Sequence, residues 1–244
     1  MIVPMRKNMG VSFLENAIFP PICSGCKSFG VDFCKKCIST LVPLSEIVCL
    51  SCGKTRGVFG VCGCDGSSKY GDVFVLWNYE KVAQNVIHTC KYNFIPSSIL
   101  NLLLYMRIEQ LVALKEFLSH LKNSALLPMP ISKARFCERG FNQSLIIANA
   151  ISEISGTKLL SEKNIVGRKT TKPLATLQTK VERENAVLGV FEVIDPKVFQ
   201  NKTIVVVDDV LTSGSTIKSL ARTIYPYSNS KIYGIVLAHE RRKI

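Results

Sequence analysis

The chain has 244 residues, 47% of them hydrophobic, enough to bury a sizeable core and to argue against global disorder. A formal charge of +13 points toward anionic partners, without choosing among nucleotides, nucleic acid and a membrane surface. Part of the excess is local: from Lys133 to Arg183 ten Lys/Arg stand against four Asp/Glu.

In chain order, the start is broken by Pro4, Arg6 and Lys7, so it does not read as a secretory leader. Residues 11–19 suggest a short amphipathic helix stopped by Pro20 and Pro21. Residues 20–68 are poor in long periodic runs and rich in Cys, Gly, Ser and Lys. The expected division is a small module over residues 1–68 and a larger domain over residues 69–244. Asp72–Tyr79 reads as a strand, Lys81–Lys91 as a helix, and residues 97–121 as one longer apolar helix. The apolar run Ile99–Met106 is far short of the roughly 20 residues a bilayer span needs, so no membrane insertion and a cytoplasmic location are expected. Then come a strand (Ala125–Met129), a helix (Asn142–Ile154) and strands at Gly189–Val193 and Lys202–Asp208. A helix (Ser215–Ile224) and a strand (Lys231–Ala238) close the chain. Strands alternating with helices predict an α/β fold with a mostly parallel sheet.

Eight of the ten cysteines fall in pairs: Cys23 and Cys26, Cys34 and Cys37, Cys49 and Cys52, Cys62 and Cys64. A C-x-x-C turn points two thiolates at one ion, and two such turns complete a tetrahedron around zinc. Sequential pairing gives one site from Cys23, Cys26, Cys34 and Cys37 and a second from Cys49, Cys52, Cys62 and Cys64. Interleaved pairing stays open. A filled four-thiolate shell is structural rather than catalytic. Cys90 and Cys137 read as lone thiols.

The run Ile204–Val207 lacks polar alternation, as in a strand covered on both faces. Asp208 and Asp209 follow where the strand is expected to end. Next comes a hydroxyl-rich loop, Leu211–Thr216, that opens a helix. Such a loop can wrap a phosphate with backbone N–H groups, hydroxyls and the helix dipole. Two acids beside it suit sugar hydroxyls, or a magnesium ion held against a polyphosphate.

The register IVVVDDVLTSGST (204–216) resembles the signature of type I phosphoribosyltransferases, which use phosphoribosyl pyrophosphate (PRPP). The resemblance implies that Asp208 and Asp209 meet the ribose hydroxyls, and that Thr212, Ser213, Gly214, Ser215 and Thr216 hold the 5-phosphate. Either acid could also serve as a catalytic base, though ribose binding is the simpler task. The cysteine pairs, Lys91-Tyr92, ERGFNQS (Glu138–Ser144) and Arg168, Gln178, Arg183 and Asn185, in that order, resemble the ComF/GntX family. That family is associated with DNA uptake in natural competence, and its members carry an N-terminal zinc module on a phosphoribosyltransferase-like domain.

Lys133, Arg135 and Arg139 crowd what reads as one loop. Arg139 and Lys91 are the candidates for the pyrophosphate of PRPP. Lys169–Glu184 corresponds in the resemblance to a hood that closes over the substrate. The expected cofactors are structural zinc and magnesium arriving with PRPP. The expected partners are PRPP, single-stranded DNA and the uptake machinery. Three readings follow: an enzyme with an unidentified acceptor, a DNA-binding competence protein, and a PRPP sensor without turnover. Phe59, Tyr70, Trp77, Tyr92 and Phe141 are candidate base-stacking aromatics, with core packing the commoner fate of such residues.

Overall fold

The computed structural model describes residues 20–58, 60, 62–64, 68–93, 96–162, 166–168 (backbone only) and 190–241. The expected helix over residues 11–19, Phe59, the stretch Lys169–Glu184 and Asn185 lie outside the described residues, as does the side chain of Arg168.

After α1 (Lys35–Ser39) come β1 (Pro43–Cys49), β2 (Thr55–Gly57) and β3 (Tyr70–Asn78). Three helices follow: α2 (Lys81–Tyr92), α3 (Ser97–Leu104) and α4 (Ile108–Ser119). Next are β4 (Ser124–Pro128), α5 (Lys133–Arg139), α6 (Gln143–Ser155) and β5 (Lys158–Leu159). Then come β6 (Val166–Arg168), β7 (Phe191–Val193) and a single 3-10 turn at Pro196–Phe199, ahead of β8 (Thr203–Leu211), α7 (Ser215–Ser228) and β9 (Ile232–His239).

Seven strands form one sheet in the order β2-β1-β3-β9-β8-β4-β5, and β6 and β7 pair apart from it. From β3 to β5 every neighbour is parallel; β1 joins β3, and β2 joins β1, antiparallel. The fold is thus α/β with a mostly parallel sheet. Because β1 bonds directly to β3, the sheet runs without interruption across residue 68.

The β8 run explains the layering. Val205 and Val207 join the core under α2, α3, α4 and α6, while Ile204 and Val206 join the one under α7. All four are 0% exposed, so the strand has no face for a polar residue until the run ends.

Two expectations need correction. The apolar stretch 97–121 is two helices, α3 and α4, bent by 96°. Gln110 fixes the break. Its carbonyl accepts the Arg107 N–H at 3.0 Å, and its amide donates to the carbonyls of Leu44 and Leu76 at 3.2 and 2.6 Å. A buried amide with three partners outweighs helix continuity. The residues around Lys133, Arg135 and Arg139 form helix α5 rather than a loop. Ser132 caps it by accepting the Arg135 N–H at 3.3 Å, and Gly140 closes it at φ 76°. Among the described residues, no single helix is long and apolar enough to cross a membrane.

Candidate functional site

The parallel strands all end at one edge of the sheet, where ligands of open α/β sheets collect. There β8 runs further than its sequence suggests. Asp208 and Asp209 are still strand residues, with Asp208 opposite Val236 and Leu211 opposite His239 on β9. Asp208 is half-buried, and Asp209 is 9% exposed.

The two acids are not equivalent. Asp208 Oδ1 accepts the Ser144 hydroxyl at 3.0 Å and the Asp209 backbone N–H at 2.9 Å. Asp209 Oδ2 lies 2.8 Å from Lys91 Nζ. Loss of water around its carboxylate, and then the neighbouring Asp209 charge, push the Asp208 carboxyl up from 3.8 to about 7. The Ser144, Asp209 N–H and Lys91 contacts pull the other way and do not overcome burial.

The loop after β8 turns at Gly214, whose φ of 72° favours glycine and which stands as N-cap of the 14-residue helix α7. A Cβ there would also lie 3.1 Å from Leu50. The Ser213 hydroxyl is 3.0 Å from that of Ser215 and accepts the Ser215 N–H at 3.4 Å. Thr212, Ser213 and Ser215 are exposed and Thr216 half-exposed, so hydroxyls ring the first turn of α7. This arrangement can hold a phosphate by the helix dipole and the loop's donors.

Lys91, in the last turn of α2, reaches the acid pair at Asp209. Arg139 ends α5, with its guanidinium 5.9 Å from the Tyr92 ring centroid. Arg139 Nε is buried without a hydrogen-bond partner, as is Gln143 Nε2. Unsatisfied buried donors are costly, so both suit an incoming acceptor. The structure therefore brings Asp208, Asp209, Lys91 and the motif containing Arg139 to one edge, with the Thr212–Thr216 loop following β8 there. Gln178 and Arg183 lie outside the described residues.

The roles of three residues escaped the sequence reading. Ser144, the last residue of ERGFNQS, binds Asp208; Asn142 holds the segment by donating to the Met129 carbonyl at 3.1 Å and bonding Glu162. Tyr79 sits where the charges of Lys91 and Asp209 both act on it, and burial raises its phenol. Residue spacing shows that the motif is dense in polar groups. It does not show that the motif's serine faces β8, because α6 reaches the strand only through the fold.

The eight cysteines gather as two sets, with the sulfurs of each set within 4.8 Å of one another: Cys23, Cys26, Cys34 and Cys37, then Cys49, Cys52, Cys62 and Cys64. This is the sequential pairing. In the first set Sγ–Sγ distances are 3.8 Å (Cys23–Cys37) and 3.7 Å (Cys26–Cys34). In the second they are 3.8 Å (Cys49–Cys64), 3.5 Å (Cys52–Cys62) and 3.2 Å (Cys62–Cys64). A Zn–S bond of about 2.3 Å gives a tetrahedral edge of about 3.8 Å, so both sets fit zinc, the first more closely. Gly25 is required in the first knuckle, since a Cβ there would sit 2.7 Å from Cys37 Sγ. Around Asp208 and Asp209 no set of three metal-ligating side chains forms among the described residues.

No family model matches the chain. The chain is 24% identical over 204 residues to the competence protein ComFC of Bacillus subtilis (strain 168), covering 78% of this chain and 77% of that protein.

Proposed function

We propose, taking as premise that the chain is a ComF-family protein, that it is a cytoplasmic PRPP-binding protein of the phosphoribosyltransferase type that serves DNA uptake and contacts single-stranded DNA. The observation that carries the PRPP reading is the convergence at one sheet edge of an acid pair, two basic groups and, following β8, a hydroxyl-ringed helix start. The DNA reading leans on the ComFC relative and on the charge of +13, more than one PRPP neutralises.

In this reading Asp208 and Asp209 accept the two ribose hydroxyls and offset positive charge on the ribosyl carbon as its bond to pyrophosphate lengthens. The loop Thr212–Thr216 anchors the 5-phosphate. Arg139 offers its free Nε to a pyrophosphate oxygen, and Lys91 exchanges the Asp209 carboxylate for another. Magnesium arrives with the polyphosphate, because among the described residues no set of three metal-ligating side chains forms there.

Calorimetry with PRPP and magnesium, followed by an assay of pyrophosphate release with single-stranded DNA present, tests this. Binding with release supports a transferase, and binding without release supports a sensor. No binding by the zinc-loaded full chain overturns the site.

A further inference from the structure

Away from the acid pair, one cluster of charge has no role in that chemistry. The half-buried ring of Tyr70, at the start of β3, has Lys69 Nζ 6.0 Å, Lys218 Nζ 5.9 Å and Arg222 Cζ 5.9 Å from its centroid. Arg222 Nε also donates to the Tyr70 hydroxyl at 2.7 Å. Among the described residues none of these three cations pairs with a carboxylate. Three like charges around one ring repel each other until an anion joins them.

Beside Tyr70 opens a cavity of about 290 Å³, lined among others by Ser51, Arg56, Ser68, Tyr70 and Lys231. Arg56 donates from Nε to the Gly60 carbonyl at 2.7 Å and from Nη2 to Asp72 at 2.6 Å, while its Nη1 is buried with no partner. Sulfurs of Cys49, Cys62 and Cys64 form another part of the wall. Asp72, which also lines the cavity and pairs with Arg56, and the cysteine sulfurs offset the charges of Arg56 and Lys231, so the lining tolerates a neutral planar group, for which Arg56 Nη1 is a ready donor. Phosphates and a base would thus separate: charge outside on the cations, ring inside against Tyr70. Lys218 lies one turn into α7, its N–H donating to the Gly214 carbonyl at 2.9 Å, so the cluster begins beside the candidate phosphate loop.

We propose that Tyr70, Lys69, Lys218 and Arg222, with the cavity holding Arg56 Nη1, form the surface that takes single-stranded nucleic acid. Phosphates seat on the three cations and one base enters the cavity against the Tyr70 ring. This rests on the strand-binding half of the proposed function and gives it a place. Duplex DNA is disfavoured because its bases are stacked and paired, out of reach of the cavity.

The test is fluorescence anisotropy of a labelled single-stranded 40-mer, with a matched duplex and anionic vesicles as competitors, on the full zinc-loaded chain. Tyr70→Ala is expected to weaken single-strand binding roughly five- to 150-fold, the range reported for losing one base–aromatic stack. Tyr70→Phe, which keeps the ring, should stay within about threefold of the unaltered chain. Replacing Lys69, Lys218 and Arg222 together by Ala should flatten the slope of log affinity against log salt by about 2, at about 0.7 per phosphate. Should Tyr70→Ala lose thermal stability, Arg222→Ala on the exposed face serves in its place, with a slope change of about 0.7. If the unaltered chain binds the 40-mer while all these variants bind it equally well, the surface is wrong although the strand-binding reading stands. If the unaltered chain does not bind at low salt, that reading falls and the surface with it. Vesicles that displace the 40-mer one for one would identify a membrane surface instead and overturn the proposal.

Discussion

The two cysteine sets look alike in sequence and sit very differently in the fold. In the first, Cys23 and Cys37 are 0% and 3% exposed and belong to the main core together with α2 and α3. Its knuckle grips α2: Asn85 donates to the Gly25 carbonyl at 2.7 Å, Thr89 to the Ser24 carbonyl at 3.4 Å, and Lys27 bonds Thr89. Two residues beyond Thr89, Lys91 meets Asp209 at 2.8 Å. The second set lies around the turn between β1 and the edge strand β2, and borders the cavity beside Tyr70. One ion would therefore brace the helix that carries Lys91, and the other a sheet edge and a cavity wall. Identical ligand chemistry supports different things according to what the knuckle is packed against.

The largest expected effect tests that asymmetry directly. Cys26→Ser and Cys52→Ser each remove one exposed ligand, and elemental analysis should find close to two zinc ions in the unaltered chain and one in each variant. Structural zinc is worth about 10–16 kcal/mol in small modules, comparable to the whole stability of a domain. Cys26→Ser should therefore lower the melting temperature sharply and abolish PRPP binding by calorimetry. Cys52→Ser should leave PRPP affinity within about threefold while weakening the 40-mer. Equal loss of PRPP binding in both variants would erase the distinction.

Next in size is the acid pair to which Lys91 is braced. A hydrogen bond to a charged group contributes about 1.5–3 kcal/mol, so Asp208→Asn with Asp209→Asn should bring PRPP affinity below detection. The Asp208 carboxyl, raised from 3.8 to about 7, is largely protonated below that pH. PRPP affinity should thus climb as pH rises through 7, and the climb should vanish in Asp208→Asn. For the ligand-free chain the sign reverses. A carboxyl whose folded pKa is raised costs stability as pH climbs from its unfolded value toward 7, so Asp208→Asn should melt higher than the unaltered chain at pH 8. A lower melting temperature there would mean that Asp208 is stabilising as a charge.

Gln110 joins β1 to β3 through the carbonyls of Leu44 and Leu76. Gln110→Leu removes donors from buried acceptors at about 1–3 kcal/mol and should lower the melting temperature without altering either zinc content or PRPP affinity. The smallest effect sharpens the brace itself. Thr89→Val breaks the contacts to Ser24 and Lys27 at about 1 kcal/mol, and Thr89→Ser should restore them. PRPP affinity should fall about fivefold in the first and recover in the second. Thr89→Val binding PRPP normally would show that Lys91 needs no brace.

Much of the architecture was legible from local chemistry. An unbroken β-branched run can only be a strand covered on both faces, and Ile204–Val207 is fully buried between two cores. Paired cysteines two apart specify knuckles, and a glycine among hydroxyls specifies a turn into a helix. Those signals depend on a few neighbours in sequence, which is why most of the elements, the cysteine sets and the turn from β8 into α7 could be named. The break at Gln110 could not be read, because its partners at Leu44 and Leu76 are 66 and 34 residues away and outweigh an apolar helix pattern. The same holds for Ser144 on Asp208, 64 residues apart, and for Arg222 on Tyr70, 152 apart. Composition fixes which side chains a chain can offer to anions and metals. Only the packing of distant segments decides which of them share water, field and partners, since hydrogen bonds and buried charges act over a few ångströms of space whatever the distance along the chain.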